Sequence, residues 1–258
     1  MLQRLFRSIS WDATTYLTSG SCLVLAPHPD DETLGCGAIT LRKRAAGIPV
    51  HVFFATDGDG SFPASTHYSA AELGAVRRKE AIEACRRLGV AEEDVSFLGL
   101  PDGKLTQNID ALVLAIQEEI AAFRPDHVMA PCWADSHPDH IALHRAATLV
   151  HKNNSSFQLF EYTVWFWRYR WWKPWLKLAL QSIPAAFMGR RFDRPKVRPW
   201  AVSAGQFQAQ KKEALAAHSS QFQKLSDEAE WPLLSEVDGG RFIDHLLTPV
   251  EFFFPHDS

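Results

Sequence analysis

Residues 23–37 read LVLAPHPDDETLGCG. An apolar run long enough for a buried strand ends directly in one histidine and three acids, followed by small and apolar residues that suit a helix. An Asp at a helix start is commonly an N-cap, and acids in a first turn suit the positive end of the helix. Asp30, Asp31 or Glu32 taken singly is explained in that way. A second stretch is not so easily absorbed. Residues 133–144 read WADSHPDHIALH and repeat the His-Pro-Asp triplet just after another apolar run, DHVMAP at 126–131. Two such triplets at corresponding strand ends point to a shared site.

The stretches around these motifs alternate between strand and helix patterns. SCLVLAP, PVHVFFAT, DVSFLGL and DHVMAP are expected strands. TLGCGAITLRKRAAG, AAELGAVRRKEAIEACRRLG, NIDALVLAIQEEIAAF and a segment from about Pro138 to Val150 are expected helices. Farther on, AQKKEALAAHSSQFQKL reads as a helix running into a loop and TPVEFFF as a last strand. This alternation implies an α/β fold, a Rossmann-like, mostly parallel sheet flanked by helices, with right-handed crossovers. Ligands of such sheets gather outside the carboxyl ends of the strands, where both motifs fall. One domain over 1–258 is expected, with a doubly wound core at about 20–150.

Composition narrows the class. The chain is 46% hydrophobic and 22% charged, with a formal net charge of −3, the profile of a globular protein. Its four cysteines form no C-x-x-C pair, which argues against a disulfide scaffold or a thiolate zinc site and fits a reducing compartment. The N-terminal MLQRLFRSISWDATTYL has no long apolar core or A-x-A site, so no secretory signal is expected. No run of about 18 uncharged apolar residues occurs, so no spanning helix is expected either. The expected location is the cytoplasm, either free or peripheral at the inner membrane surface.

His28 and Asp31 stand three apart on a strand-to-helix turn, within reach of one ion. Imidazole and carboxylate together suit Zn²⁺, which takes mixed ligands at about 2.0–2.2 Å. His137 and His140 are again three apart, with Asp135 and Asp139 beside them. Three protein ligands with one open position are the pattern of a catalytic zinc. A free carboxylate can then accept a proton from water, and a further histidine can stabilise a developing oxyanion. Fe²⁺ or Co²⁺ fits the same N/O donors. A dinucleotide site is excluded, because the turn after the first strand carries H-P-D-D-E in place of G-x-G-x-x-G, and its acids would repel a pyrophosphate.

The motifs APHPDDE and HPDH resemble those of the LmbE-like/PIG-L deacetylases, zinc enzymes that remove the acetyl group from N-acetylglucosamine-type sugars. TDGDG, VRRKEAIEACRRLG, FLGLPDG and KKEALAAHSSQ follow in that family's order. The resemblance implies His28, Asp31 and His140 as metal ligands. It also implies Asp30 as general base and His137 as electrostatic stabiliser or general acid. Arg77, at the family's R-x-x-E position, is expected to bind substrate.

Asp57, in a loop with Gly58 and Gly60, and Asp102, in a Pro-Asp-Gly loop, are further substrate candidates, although both sequences also make ordinary turns. Glu32 is expected to support a ligand, and His144 and His218 to orient structure. Cys132 lies beside the expected site, with nothing marking it as a nucleophile.

Residues 162–198 stand apart. They hold nine Lys/Arg against one acid, a net +8, and five of the nine tryptophans lie between 165 and 175. At about 160–200 a Trp-rich basic cap is expected, as a sugar-stacking wall, as an interfacial element that contacts a membrane surface peripherally, or as plain core with charges reaching outward. The basic charge favours a large, anionic or lipid-linked acetylated sugar. No RNP, OB or helix-turn-helix signature supports a nucleic-acid partner. Two alternatives stay open: a zinc amidase acting on a non-sugar amide, and a non-catalytic glycan- or membrane-surface-binding protein. The sequence does not set the oligomeric state.

Overall fold

The computed structural model describes residues 2–154, 156–167, 198–227 and 231–256. Its sheet has eight strands among these residues: β1 (Trp11–Asp12), β2 (Cys22–Ala26), β3 (Val50–Thr56), β4 (Val95–Leu100), β5 (His127–Pro131), β6 (Gln158–Tyr162), β7 (Trp200–Ser203) and β8 (Val250–Pro255). They run in the order β1-β7-β8-β6-β5-β2-β3-β4. β8 is antiparallel to β6 and β7, and the other neighbours are parallel. The helices are α1 (Leu2–Ile9), α2 (Thr14–Thr18), α3 (Asp31–Ala45), α4 (Ala70–Arg87), α5 (Ile109–Phe123), α6 (Pro138–Asn153), α7 (Gln208–Leu215), α8 (Ser219–Phe222) and α9 (Arg241–Leu246). Among the described residues no helix is long and apolar enough to cross a membrane.

All five residues of β2 are buried, as a strand covered on both faces requires. Cys22, Val24 and Ala26 join one core with Leu34, Cys36 and Ile39 of α3 and Ala81 and Cys85 of α4. Leu23 and Leu25 face the other way, into a core with Leu112 and Ile116 of α5 and Leu143 and Val150 of α6. β2 pairs with β3 on one side and β5 on the other. The chain therefore winds outward from β2 through β3 to β4, then returns to start again at β5. The gap between the carboxyl ends of β2 and β5 is the topological switch point, where α/β sheets open a crevice.

The expected strands and helices of the first 150 residues appear within about three residues of their observed bounds, close to the usual uncertainty at element ends. The sheet does not stop near residue 150: β6, β8, β7 and β1 continue it on the far side of β5. β6 escaped the sequence reading because its apolar run merges into the Trp-rich stretch with no turn residue between them. Of the expected cap, residues 168–197 lie outside the described residues. At its leading edge Phe166 and Trp167 are buried and pack edge-on to Phe6, so these two rings are core.

Helix α3 carries two glycines where helix propensity disfavours them. A Cβ on Gly35 would lie 2.2 Å from Tyr162 Cδ2, and one on Gly37 would lie 2.9 Å from Lys211 Cγ. The glycines let Tyr162 and Lys211 cross the helix at contact distance. Lys211 Nζ donates to the carbonyls of Leu34 (2.8 Å) and Leu246 (2.9 Å) and to Glu251 Oε1 (2.8 Å). The Glu251 carboxylate in turn accepts from the amides of Ala38 (2.7 Å) and Ile39 (2.9 Å). This buried pair bolts α7 and β8 onto α3. Lys211→Met leaves the Glu251 charge uncompensated and is expected to cost about 3–5 kcal/mol, read from the urea unfolding midpoint.

A second buried lysine sets a pH dependence. Lys43 Nζ donates to the carbonyls of Ser19 and Gly20 and lies 3.3 Å from His127 Nδ1. That nitrogen can accept from the ammonium only while the imidazole is neutral. Burial, with the Lys43 charge behind it, pushes His127 from 6.5 down to about 4. The unfolded chain therefore binds a proton that the native state refuses. Stability is full above pH 6.5 and is expected to decline as pH falls toward about 4. His127→Asn should flatten that part of a pH series of unfolding free energies.

Candidate active site

The loop after β2 is held by its backbone. Pro27 O accepts from the amide (3.1 Å) and hydroxyl (2.9 Å) of Thr56 at the end of β3. Asp30 occupies the N-cap position of α3, yet its side chain makes no capping hydrogen bond. Its carboxylate faces Arg77 Nη2 at 3.1 Å. Burial, opposed by Arg77 and reinforced by Asp31, pushes the Asp30 carboxyl up to about 7. The N-cap explanation available for Asp30 from sequence therefore does not describe its side chain.

Asp31 Oδ2 is the hub of the site. It lies 3.2 Å from His28 Nδ1 and 3.2 Å from His140 Nε2. Donors bonded to a tetrahedral ion at about 2.0 Å are separated by about 3.3 Å, so the spacing matches two edges of such a polyhedron. His28 Nε2 faces two carboxylate oxygens, Asp102 Oδ1 and Asp139 Oδ2, each at 3.1 Å. Both accept only, so Nε2 carries a hydrogen, and a metal at the hub would leave Nδ1 as the ligating lone pair in place of its contact with Asp31. His140 Nδ1 lies 3.3 Å from Asp135 Oδ2. Both ring nitrogens of His140 are buried and neither has a hydrogen bond of good geometry, as expected where a nitrogen is aimed at a point between its neighbours. Carboxylates behind imidazoles are the usual backing of metal-ligating histidines. The donor set thus fits a divalent transition metal. Nitrogens of His28, His137 and His140 also lie within 4.8 Å of one another, as do donor atoms of His28, Asp102 and Asp139.

His137 caps α6, its Nδ1 accepting from the amide of Asp139 at 3.3 Å. The remaining hydrogen therefore sits on Nε2. Its ring stands edge-on to His28, with centroids 4.9 Å apart. Burial, aided by the charges of His28 and His140, lowers His137 to about 4. In this arrangement the ring is a neutral N–H donor, not an imidazolium.

The structure sorts the other candidates. The Arg77 guanidinium is buried and turned inward, donating to the carbonyls of Gly58 and Pro29 and to the hydroxyl of Ser61 as well as to Asp30. It holds the loops after β2 and β3 together beneath the site. Asp102 backs His28, accepts from the amide of Gly60 (3.2 Å), and is pulled down to about 2: His28 outweighs the opposing effect of burial. Asp57 is half-buried and 3.6 Å from Arg78 Nε. Asp135 and Asp139, read from sequence as further donors, stand behind the two histidines. Asp139 also accepts from the amides of Gly103 (2.7 Å) and Leu105 (3.1 Å), fixing the loop that carries Asp102. His144 Nδ1 sits 3.2 Å from Pro131 O. Cys132 is buried, and burial raises its thiol pKa well above the ordinary value, which leaves it inert as a nucleophile.

Two groups carry more than sequence reading assigned them. His218 Nε2 lies 2.9 Å from Glu32 Oε1, although 186 positions separate them. Glu80 gathers hydrogen bonds from the hydroxyls of Ser219 and Ser220 and from the Ser220 amide. The consecutive hydroxyls of HSSQ were the available signal for Glu80, but nothing local named their acceptor.

Residues 23–151, half of the chain, match the PIG-L family, described as GlcNAc-PI de-N-acetylase. The chain belongs to the PIG-L family. Among relatives it is 33% identical over 131 residues to a probable N-acetyl-α-D-glucosaminyl L-malate deacetylase 2 of Bacillus subtilis, covering 46% of this chain and 55% of that protein. It is 32% identical over 145 residues to a 1D-myo-inositol 2-acetamido-2-deoxy-α-D-glucopyranoside deacetylase of Mycobacterium avium, covering 46% and 47%. The chain thus spans about half the length of the curated relatives it matches. The N,N'-diacetylchitobiose deacetylase of Pyrococcus horikoshii shares the fold, with a TM-score of 0.58 at 22% identity over 86% of this chain and 79% of that one.

Calorimetric titration of metal-free protein with Zn²⁺ or Co²⁺ checks the hub. Asp31→Ala and His140→Ala are expected to weaken binding by at least about 100-fold, beyond the range of changes in backing residues. His144→Ala is expected to leave it intact.

Proposed function

We propose that this PIG-L protein is a metal-dependent hydrolase that removes the acetyl group from an N-acetylglucosamine-type sugar or glycoconjugate. The observation that carries the reading is the Asp31 oxygen equidistant from two imidazole nitrogens, with an uncapped carboxylate one residue away. His28, Asp31 and His140 would hold the metal, with Zn²⁺ favoured by the N/O donor set. When bound, such an ion supplies a Lewis acid and makes a ligated water more acidic.

The chain's own groups do the rest. Asp30, with its carboxyl raised toward neutrality, accepts a proton as water attacks the amide carbon. His137 donates its Nε2 hydrogen to the oxygen that gains charge in the tetrahedral transition state. The departing amine takes up a proton from Asp30, returning the carboxylate to its starting state. Asp102 and Asp139 keep the His28 lone pair directed at the hub throughout. Arg77 acts on the Asp30 carboxylate, whereas Asp57 and the Asp102 loop line the approach for sugar hydroxyls.

The relatives named above act on 2-acetamido-2-deoxy-α-D-glucopyranosyl compounds whose other half is malate or inositol. That pattern supports an acetamido sugar as the shared element and a variable aglycone. The basic run at 162–198 supports an anionic or lipid-linked partner for that variable half.

The test is acetate release from free, nucleotide-linked, oligomeric and lipid-linked N-acetylated sugars with metal restored. Release by the wild type, reduced about 10²–10⁴-fold in Asp30→Asn, is the expected result. Chelation should abolish it, and added Zn²⁺ should restore it. No release from any sugar by metal-loaded protein would move the reading to a different amide.

A further inference from the structure

Three described residues other than glycine have positive φ: Asp30, Arg124 and Asp238. Arg124 and Asp238, at φ 53 and 51, lie in the ordinary left-handed well. Asp30, at φ 121 and ψ −28, does not. A non-glycine residue persists in such a conformation only when its surroundings impose it, and such residues cluster at functional sites.

The imposing group is visible. The Asp30 amide donates to Glu32 Oε2 at 2.9 Å. The other oxygen of Glu32 takes His218 Nε2 at 2.9 Å and the Thr33 hydroxyl at 2.5 Å. Glu32 and His218 are both fully buried. His218 itself has no room to drift. The next two residues give Glu80 three hydrogen bonds, from Ser219 Oγ (2.6 Å), Ser220 N (2.8 Å) and Ser220 Oγ (2.6 Å). Three segments distant in sequence, α4, α8 and the start of α3, thus meet behind one peptide group.

An aspartate in front of a helix has a comfortable alternative. With extended backbone, its carboxylate would turn back to cap the amides of the first turn. Here that carboxylate caps nothing and faces Arg77. We infer that Glu32 and His218 form a positioning pair that holds the Asp30 peptide in its strained conformation, so that the Asp30 carboxylate serves the site in place of the helix. The Glu80 clasp on Ser219 and Ser220 keeps the pair in register. This inference rests on Asp30 being the general base proposed above.

The test uses the full, metal-loaded chain. Crystal structures of wild type and His218→Ala should show Asp30 at positive φ in the first and turned to an extended N-cap in the second, its carboxylate accepting the Thr33 amide. In His218→Ala, kcat for acetate release should fall about 10–100-fold, with KM and bound metal within about twofold. His218→Gln, which keeps a donor toward Glu32, should restore most of kcat. Glu32→Met, which removes the acceptor at similar length, gives the same readouts should His218→Ala fail to fold. Positive φ at Asp30 in His218→Ala, or in the Glu32 variant where that one is used, overturns the inference, as does a loss that falls on KM or metal content. Absence of acetate release by the wild type would defeat the deacetylase reading alone, and the Asp30 backbone in the paired crystals would still decide this one.

Discussion

β2 lies between β3 and β5, and the site exists because the chain leaves those two flanks in opposite directions. A right-handed crossover from β2 places α3 on one face and carries the chain outward to β4. The next strand must then open a second half beside β2. The loops after β2 and β5 consequently part above the sheet and leave a crevice between two helix N-termini. Each loop delivers one His-Pro-Asp triplet into it, so two clusters more than 100 residues apart in sequence converge.

Crowding so many ionisable groups into a buried place is costly unless each is paired. The pairing here is nearly complete and has a direction. Asp102 and Asp139 face the outer nitrogen of His28, and Asp135 faces the outer nitrogen of His140. Asp31 lies between their inner nitrogens. Backing carboxylates raise the basicity of the imidazoles and fix their tautomers, and the inner nitrogens are left pointing at a common place. Asp30 and His137 flank that place with opposite equipment: a carboxyl held near neutrality by burial, and an imidazole kept neutral by burial and neighbouring charge.

The C-terminal part of the chain does more than enlarge the sheet. Lys211 and Glu251 fasten α7 and β8 to the middle of α3, and His218 reaches the first turn of the same helix through Glu32. Tyr162 at the end of β6 passes under Gly35 and donates to the carbonyl of Leu25 at 2.9 Å. The helix that begins with Asp31 is thereby gripped along its length by residues from beyond position 150. A truncated core of about 20–150 would keep the motifs and lose what aims them.

The alternation of apolar runs with helical periodicity was legible because each element writes its own pattern within a few residues. The two triplets were legible for the same reason, since polar side chains three apart on one turn announce themselves locally. Thus the amino-acid sequence by itself determined the parallel α/β plan and the identity of His28, Asp31, His137 and His140 as the residues of one centre. It could not say that Asp139 and Asp102 stand behind His28, or that Arg77 turns inward to Asp30. Nor could it say that Glu32 meets His218, or that β6 and β7 extend the sheet with β8 antiparallel between them. Those decisions belong to tertiary structure, because a hydrogen bond is specified by where two strands or helices come to lie side by side. That placement depends on strand order and crossover hand, which no local stretch of sequence encodes.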